Sequence, residues 1–500
     1  MNRTWEPARS APSAEAEPVP AEMPAEEQAA EPGARPTGTR QPESFIERLW
    51  LQLRRTSFGL PPALSNQGGL WLAALTLFVL LALGGGRIGQ ETAGLAAGEP
   101  LHLPLYAWLV QAYDALSGEP RPLETPGHYD LLAWVQILAG MAAAWWLARG
   151  LRESFRLPSW GAPAAALLLL LPYLFGVERL GNTIGIPALA YPLFLASLCF
   201  LLQGFARGDW RRVMGFLLLL PLLMLSAEPF VFLCPAFLAV LLWVLNAYAG
   251  PRGPKLALFG FFLSALLAVF LFERLVNLAA HGRFVAAPVS GIHKVVAPLY
   301  LSEASDEGLF LGEPRLRALF HAFQSRMAAR NLRRIDAVNG LVPAPELVGH
   351  YQAAYSPIMR DVVLPILQQR GRQDWFEIDA VTREIGWRLL RDKPGAWFVL
   401  TLDSMVYGFG GFYPTVFLLA AFGLVGFVQV QRRDALSLAL ASVLLFHLTN
   451  VFMAALLGNP PRAAALYTEP AVIVLLLASL TRMLVASGEG EERVETESEK

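Results

Sequence analysis

Residues 70–106 read LWLAALTLFVLLALGGGRIGQETAGLAAGEPLHLPLY, an apolar run followed by a polar loop. The run, predicted to span a membrane over residues 69–86, approaches the length of about 20 apolar residues that a helix needs to cross a bilayer. The loop that leaves it carries the carboxylate of Glu91 and ends at Pro-Leu-Tyr, residues 104–106, where an amphipathic helix is predicted. Apolar runs of this kind recur along the chain and decide its fold.

The composition of the 500-residue chain is typical of a membrane protein. It is 54% hydrophobic and 16% charged, whereas soluble domains carry roughly a quarter charged residues. A net charge of −1 gives no basic stripe for nucleic acid, so a nucleic-acid binder is not expected. The only cysteines, Cys199 and Cys234, lie in apolar runs, and neither a disulfide framework nor a thiolate metal site is predicted.

The apolar runs predict an all-α membrane protein with about ten transmembrane helices. Arginine is concentrated in alternate loops, for example at 149–156, 207–212 and 432–433. By the positive-inside rule both termini are cytoplasmic, and the Glu91 loop faces outward. The predicted spans are 69–86, 129–148, 160–176, 184–204, 213–227, 229–247, 256–278, 412–430, 435–457 and 464–485.

The chain divides into membrane modules, one large loop and two tails. The tail at 1–44 is rich in Pro, Ala and Glu and is predicted to be disordered, because it has little apolar surface to bury. The tail at 486–500 is acidic, is predicted to be disordered and, like the first, cytoplasmic. Between them lie an N-terminal membrane module at 45–278 with the first outer loop at 87–128, a hydrophilic outer loop at 279–395 and a C-terminal membrane module at 396–485.

The 279–395 loop is predicted to be a small helical domain outside the membrane. Glu313-Pro314 is a helix start, and apolar residues recur at helical spacing behind it from Leu316 to Met327. A second helical pattern runs from Asp374 to Leu389. Within the membrane, His447 and Asn450 share one face of the ninth span, and they are expected to bond to a neighbouring helix.

The order of these parts resembles the GT-C superfamily of integral membrane glycosyltransferases, nearest the bacterial relatives of protein O-mannosyltransferases and aminoarabinose transferases. The resemblance covers most of residues 69–485. It rests on the acid of the first outer loop and on motifs in matching order. These motifs are PLY at 104–106, QILAG at 136–140, the span exit at 145–149, WRRVMG at 210–215 and GNPPR at 458–462.

The resemblance implies transfer of a hexosyl or pentosyl group, with inversion, from a polyprenyl-phosphate donor to a lipid, glycan or protein acceptor outside the plasma (inner) membrane. Glu91 matches the family's acid and would be the general base that accepts the acceptor's proton. Its alternative is an exposed loop carboxylate, and the paired acids of many relatives are Gln90-Glu91 here. Arg462, after a rigid Pro-Pro turn, would hold the lipid phosphate, or it would extend to lipid headgroups.

Further substrate-binding candidates lie in the later outer turns. Glu178, Arg179 and Asn182 of the second outer loop would project into the site, or the Glu-Arg pair would anchor a span end. Glu228 stands where relatives commonly place a cation, so it does not match a phosphate ligand, although an acid at membrane depth is a functional candidate. Tyr467 would stack on the sugar or belong to the aromatic belt.

No motif predicts a metal or another cofactor, since HExxH, CxxC and acidic DxD-type patterns do not occur. Two other functions remain open. A transporter or flippase for lipid-linked sugar would place ionisable residues at the membrane midplane, whereas the charges here lie at the predicted outer boundary. A non-catalytic GT-C-like protein of the cell envelope would explain the single acid in the first loop and the acid at 228.

Overall fold

The computed structural model describes residues 87–88, 104–118, 127–155, 157, 161–174, 180, 183–247, 252–286, 290–338, 347–369, 374–432 and 434–498. Nearly all of them are helical, which confirms the predicted all-α class. The exception is a pair of two-residue strands, β1 (Arg87–Ile88) and β2 (Thr183–Ile184), which run parallel. Glu91 and the 1–44 tail lie outside the described residues.

The N-terminal part of the described chain is a series of helices joined mostly by short connections, which favour antiparallel neighbours. Pro229 and Pro235 stand near the starts of two of these helices, where a missing N–H is tolerated. The helices are α1 (Pro104–Ser117), α2 (Asp130–Phe155), α3 (Gly161–Leu169), α4 (Leu171–Leu174), α5 (Ile186–Arg207), α6 (Trp210–Ser226), α7 (Glu228–Phe232), α8 (Cys234–Ala247) and α9 (Arg252–His281).

Residues 290–392, here called the cap, are helical wherever they form regular structure. Both predicted helix starts are confirmed: Glu313 precedes α11, and the Asp374 carboxylate accepts a 3.0 Å hydrogen bond from the Phe376 N–H at the start of α15. The cap contains α10 (Ser290–Leu301), a 3₁₀ segment (Ala304–Phe310), α11 (Pro314–Ala329), α12 (Arg334–Val338), α13 (Leu347–Pro357), a π-helical segment (Ile358–Val363), α14 (Leu364–Gln369) and α15 (Trp375–Asp392).

The remaining helices are α16 (Pro394–Gly408), α17 (Phe412–Arg432), α18 (Ala435–Leu456) and α19 (Pro461–Ser498). The axes of α16 and α17 meet at 81° across a short break that contains Gly410 and Gly411. The acidic segment from residue 486, predicted to be disordered, instead continues α19 as a helix to Ser498. Its Glu and Arg residues have good helix propensity, which favours this continuation.

Among the described residues, five helices are long and apolar enough to cross a membrane, and the bent pair α16–α17 is a sixth if it is counted as one span. The predicted spans at 160–176, 213–227 and 229–247 are shorter helices, of which α6 has 17 residues. The predicted span 69–86 lies outside the described residues. A count of ten spans is therefore not confirmed. The five helices cover Asp130–Phe155, Ile186–Arg207, Pro254–Ala279, Ala435–Leu456 and Pro461–Met483.

The largest apolar core lies where α2 packs against α5, α5 against α6, and α18 against α19. Each helix satisfies its own backbone hydrogen bonds, as a membrane interior requires. By contrast, only 22% of the apolar window of α9 is buried. Its exposed leucines, such as Leu263 and Leu267, present an apolar surface that suits lipid.

Gly140 sets the closest approach within this core. The Tyr173 hydroxyl lies 1.7 Å from the position that a Cβ at residue 140 would occupy, so any side chain there would displace the tyrosine. The neighbouring Tyr191 donates a 2.6 Å hydrogen bond to the carbonyl of Leu169. The glycine of the 136–140 motif therefore allows α2 to pack directly against α4.

The cap has an apolar core of its own, built mainly by α10, α11, α13 and α15. α10 packs along α15, where the Gly291 N–H donates a 2.5 Å hydrogen bond to the Asp379 carboxylate. Lys393, between the cap and α16, pairs with the buried Asp306 at 2.8 Å. The cap core is thus separate from the largest core, although Leu400 of α16 contributes to it, and α16 leads from the cap into the last three helices.

Candidate functional site

A short parallel pairing joins the first two predicted outer loops. Ile88 of β1 lies opposite Ile184 of β2. Along the chain, Glu91 follows β1 by three residues and Asn182 precedes β2 by one. The pairing therefore brings together the backbone at one end of each loop. The predicted site residues of these loops, Glu91, Glu178, Arg179 and Asn182, lie outside the described residues.

Next to this pairing, α1 docks on the first turns of α2. Ile184 packs with Tyr106 and Val110 of α1 in a small apolar cluster. Tyr106 is fully buried, and its hydroxyl accepts a 3.2 Å hydrogen bond from Gln136 Nε2. Burial raises the pKa of Tyr106 well above its ordinary value, so the phenol stays neutral. The 104–106 and 136–140 motifs thus meet in space.

A carboxylate that the sequence analysis missed lies at the end of α1. Asp114 accepts a 2.9 Å hydrogen bond from the Tyr129 hydroxyl, and its Oδ1 lies 3.4 Å from His128 Nε2. Burial and the bond to Asp114 raise the pKa of Tyr129 to about 12. Tyr113 also donates a 2.8 Å bond to the carbonyl of His128. Because both histidine and tyrosine converge on one carboxylate, this cluster fixes the turn that leads into α2.

Tyr467 of α19 lies beside α7, which begins at the predicted outer-turn residue Glu228. Its ring packs edge-on against Phe230, with the ring centroids 5.0 Å apart, and Phe230 stacks on Phe194 of α5 at 5.5 Å. Tyr467 is 3% exposed, so in this structure it is a packing residue of the helix core. Glu228 begins α7, two residues before Phe230; its backbone alone is described. Helix α7 and the first turns of α19 are therefore neighbours.

Arg462 is held at the start of α19. Its Nη1 lies 3.0 Å from Glu469 Oε2 on the same helix and donates a 3.3 Å hydrogen bond to the carbonyl of Gly408 at the end of α16. The Arg462 side chain is 43% exposed, so it remains accessible to a ligand. It follows a turn in which Gly458 has φ = 79°, a left-handed conformation that favours glycine.

The cap contacts this same turn directly. Tyr351 donates a hydrogen bond to the carbonyl of Gly458, and Tyr355 donates a 2.8 Å bond to the Asn459 side-chain oxygen. His293 Nδ1 lies 2.6 Å from the Tyr355 hydroxyl oxygen. A chain of hydrogen bonds therefore runs from α10 of the cap to the Asn459 turn.

The prediction that His447 and Asn450 bond to a neighbouring helix is confirmed. His447 Nδ1 lies 2.9 Å from the Thr468 hydroxyl, and Asn450 Nδ2 donates a 2.7 Å bond to the carbonyl of Ala464, both on α19. Both side chains are buried. These hydrogen bonds join α18 to α19 close to Arg462 and stabilise the position of α19.

The described helices thus carry two separate groups of polar residues. One surrounds Asp114 at the entrance to α2; the other surrounds Asn459 and Arg462 at the entrance to α19. Of the predicted site residues, Arg462 and Tyr467 have described side chains, and they point in different directions from α19. Within the described part of the chain, no three His, Cys, Asp or Glu side chains are grouped as a metal site would require.

Comparisons with protein-family models, with curated proteins and with solved structures give no match for this chain. The resemblance to GT-C glycosyltransferases therefore rests on the sequence motifs alone.

Proposed function

We propose that the chain is a membrane glycosyltransferase that moves a sugar from a polyprenyl-phosphate donor to a hydroxyl acceptor on the outer face of the plasma membrane. The observation that carries the proposal is that Arg462 is held by two contacts and yet remains partly exposed. Its guanidinium is held at a turn between membrane-length helices, and its side chain is still 43% exposed. An arginine held in this way suits a lipid phosphate, because guanidinium and phosphate match in charge and geometry.

In the proposed reaction the acceptor hydroxyl attacks the anomeric carbon of the sugar. The new bond forms between that carbon and the acceptor oxygen, while the bond from the anomeric carbon to the phosphate oxygen breaks. Glu91 accepts the acceptor's proton as general base. The polyprenyl phosphate leaves with the bonding electrons, and Arg462 stabilises the negative charge that develops on it. The single displacement inverts the anomeric configuration.

The cap contributes the acceptor side of the proposed site. Its contacts with Gly458 and Asn459 lie next to Arg462 in the chain, so an acceptor bound at the cap would be close to the donor phosphate. The exposed apolar helices would keep the polyprenyl chain in lipid, since hydrocarbon is stable only there.

The test is transfer of radiolabelled sugar from a panel of polyprenyl-phosphate donors in membranes that contain the full-length protein. Glu91→Gln removes the base and nearly preserves the shape of the side chain. We expect transfer by the wild type and a fall of about 10²- to 10⁴-fold in the variant, the range typical of general-base catalysis. Glu99→Gln, in the same loop, is the matched control and should retain activity.

Each outcome changes the proposal in a defined way. Equal activity of the wild type and Glu91→Gln would keep the transferase and remove Glu91 as its base. Facilitated movement of the donor across the bilayer without transfer would replace the transferase with a flippase. The absence of both transfer and movement, with every donor and in the presence of cell-envelope acceptors, would reject the catalytic function in favour of a non-catalytic envelope protein.

A further inference from the structure

The side chain of Glu469 lies two helical turns beyond Arg462 on the same face of α19. An acid within an otherwise apolar run is costly in a membrane and is kept for a partner or a function. Its Oε2 is 3.0 Å from Arg462 Nη1, and its side chain is 33% exposed. Glu469 therefore lies near the N-terminal end of α19, close to Arg462, and its side chain is partly exposed.

Two acceptors lie beside Arg462 Nη1. It forms an ion pair with Glu469 Oε2 at 3.0 Å and donates a 3.3 Å hydrogen bond to the carbonyl of Gly408. That carbonyl belongs to the last turn of α16, where helix carbonyls lack an intrahelical partner. Two acceptors, one on each of two helices, therefore hold the same nitrogen.

The opposite edge of the guanidinium has a different environment. Nε and Nη2 carry the remaining three of the five N–H donors of an arginine, and no described residue accepts from them. These two nitrogens form the edge that binds a carboxylate or phosphate through two parallel hydrogen bonds. The Arg462 side chain as a whole is 43% exposed.

We propose that Glu469 is a positioning residue: with the carbonyl of Gly408 it fixes Nη1 of Arg462 and thereby aims the Nε–Nη2 edge at the phosphate group of a lipid. The identity of that ligand rests on the function proposed above. If the side chain is already fixed before the ligand binds, phosphate binding costs less conformational entropy. This benefit opposes the electrostatic effect of Glu469, whose charge would by itself weaken the binding of an anion.

These two effects predict opposite results, so they can be separated. The measurement is equilibrium binding of radiolabelled polyprenyl phosphate to the purified full-length protein in nanodiscs of zwitterionic lipid. We expect Glu469→Ala to weaken binding by about tenfold, as loss of preorganised charge-assisted bonds would. Glu469→Gln should restore most of the affinity, because its amide oxygen can occupy the same position beside Nη1. Arg462→Gln should lose more than either.

Glu153→Ala is the matched control. Glu153 also pairs with an arginine, Arg149, at 2.7 Å on a helix surface. It lies near the C-terminal end of α2. Its removal should leave binding unchanged. Thermal unfolding of each variant in the same nanodiscs shows whether the protein remains folded, and Glu469→Gln keeps the test informative if the alanine variant does not fold.

Tighter or unchanged binding by Glu469→Ala, with binding by the wild type intact, would overturn the positioning role and leave the proposed donor class standing. If the wild type and Arg462→Gln bound polyprenyl phosphate equally, or if neither bound it, the lipid-phosphate site itself would be wrong, and the role of Glu469 would fall with it. The alanine and arginine variants thus distinguish failure of this inference from failure of the proposed function.

Discussion

The Tyr351 hydroxyl donates a 2.5 Å hydrogen bond to the carbonyl oxygen of Gly458, although 107 residues separate them in the chain. Tyr351 is buried in the cap, whereas Gly458 belongs to the turn between α18 and α19. The bond therefore ties the cap to the turn that leads to Arg462, and several measurable consequences depend on this tie.

Tyr351→Phe should lower the free energy of unfolding by about 1–3 kcal/mol, because it leaves the buried carbonyl of Gly458 without its donor. Thermal unfolding of the purified protein measures the change. Tyr413→Phe is the control, since the Tyr413 side chain is 85% exposed and should be insensitive to loss of its hydroxyl. Equal shifts in the two variants would contradict a structural role for the Tyr351 bond.

Tyr355→Phe should loosen the Asn459 turn, because it removes the hydroxyl that links His293 to Asn459. Amide hydrogen exchange over residues 457–466 should quicken by about tenfold, which corresponds to a loss of about 1.4 kcal/mol in local stability. Exchange over the first half of α18 should not change and serves as the internal control. Unaltered exchange at the turn would show that the hydrogen-bond chain does not hold it.

Gly140→Ala should destabilise the protein by about 3 kcal/mol or prevent its folding, because the new methyl group would occupy the place of the Tyr173 hydroxyl. Gly260→Ala on α9 makes the same chemical change where nothing lies within 4 Å. It should be neutral or stabilise by up to about 1 kcal/mol, since alanine favours the helix. The two unfolding temperatures compare these outcomes directly, and similar values would refute the close contact at Gly140.

Asp434 gives a pH dependence with a defined sign. Burial by itself would raise its pKa, but hydrogen bonds from Ser437 and the charge of Arg482 outweigh burial and hold the pKa below the ordinary 3.8. A carboxyl with a lowered folded-state pKa stabilises the protein above that ordinary value, and this stabilisation is lost as the pH falls through the folded-state value.

Asp434→Asn keeps a residue that can cap α18 but removes the titrating group. As the pH falls below the ordinary value of 3.8, the wild type should therefore lose more stability than the variant. Unfolding temperatures measured across this range provide the test. Parallel pH profiles for the two proteins would show that Asp434 is not a source of acid sensitivity.

Local patterns in the sequence predicted what local forces decide. The helix starts at Glu313 and Asp374 follow from capping and proline position, and both are confirmed. The prediction that His447 and Asn450 bond to a neighbouring helix is confirmed because polar groups in an apolar span must find a partner. Span lengths were less predictable, since breaks such as those at Leu170 and Leu233 divide apolar runs into shorter helices without changing their composition.

The contacts around the candidate site depend on residues that are distant in sequence. Asp114 was not singled out from the sequence, because its partner His128 comes 14 residues later in the chain. The tyrosines that reach the Asn459 turn gave no periodic signal of their own. Glu469 could have been found: its spacing of seven residues from Arg462 places the two on one helix face.

The contact between the cap and the Asn459 turn also sets an order of events during biosynthesis. Chains are synthesised from the N-terminus and their domains fold as units, so the cap is complete before Gly458 and Asn459 leave the ribosome. Its tyrosines can reach their acceptors only after α18 has entered the membrane. The surroundings of Arg462 are therefore complete only once α19 has joined α16 and the cap, and a chain whose insertion stalls before α19 would carry the cap without them.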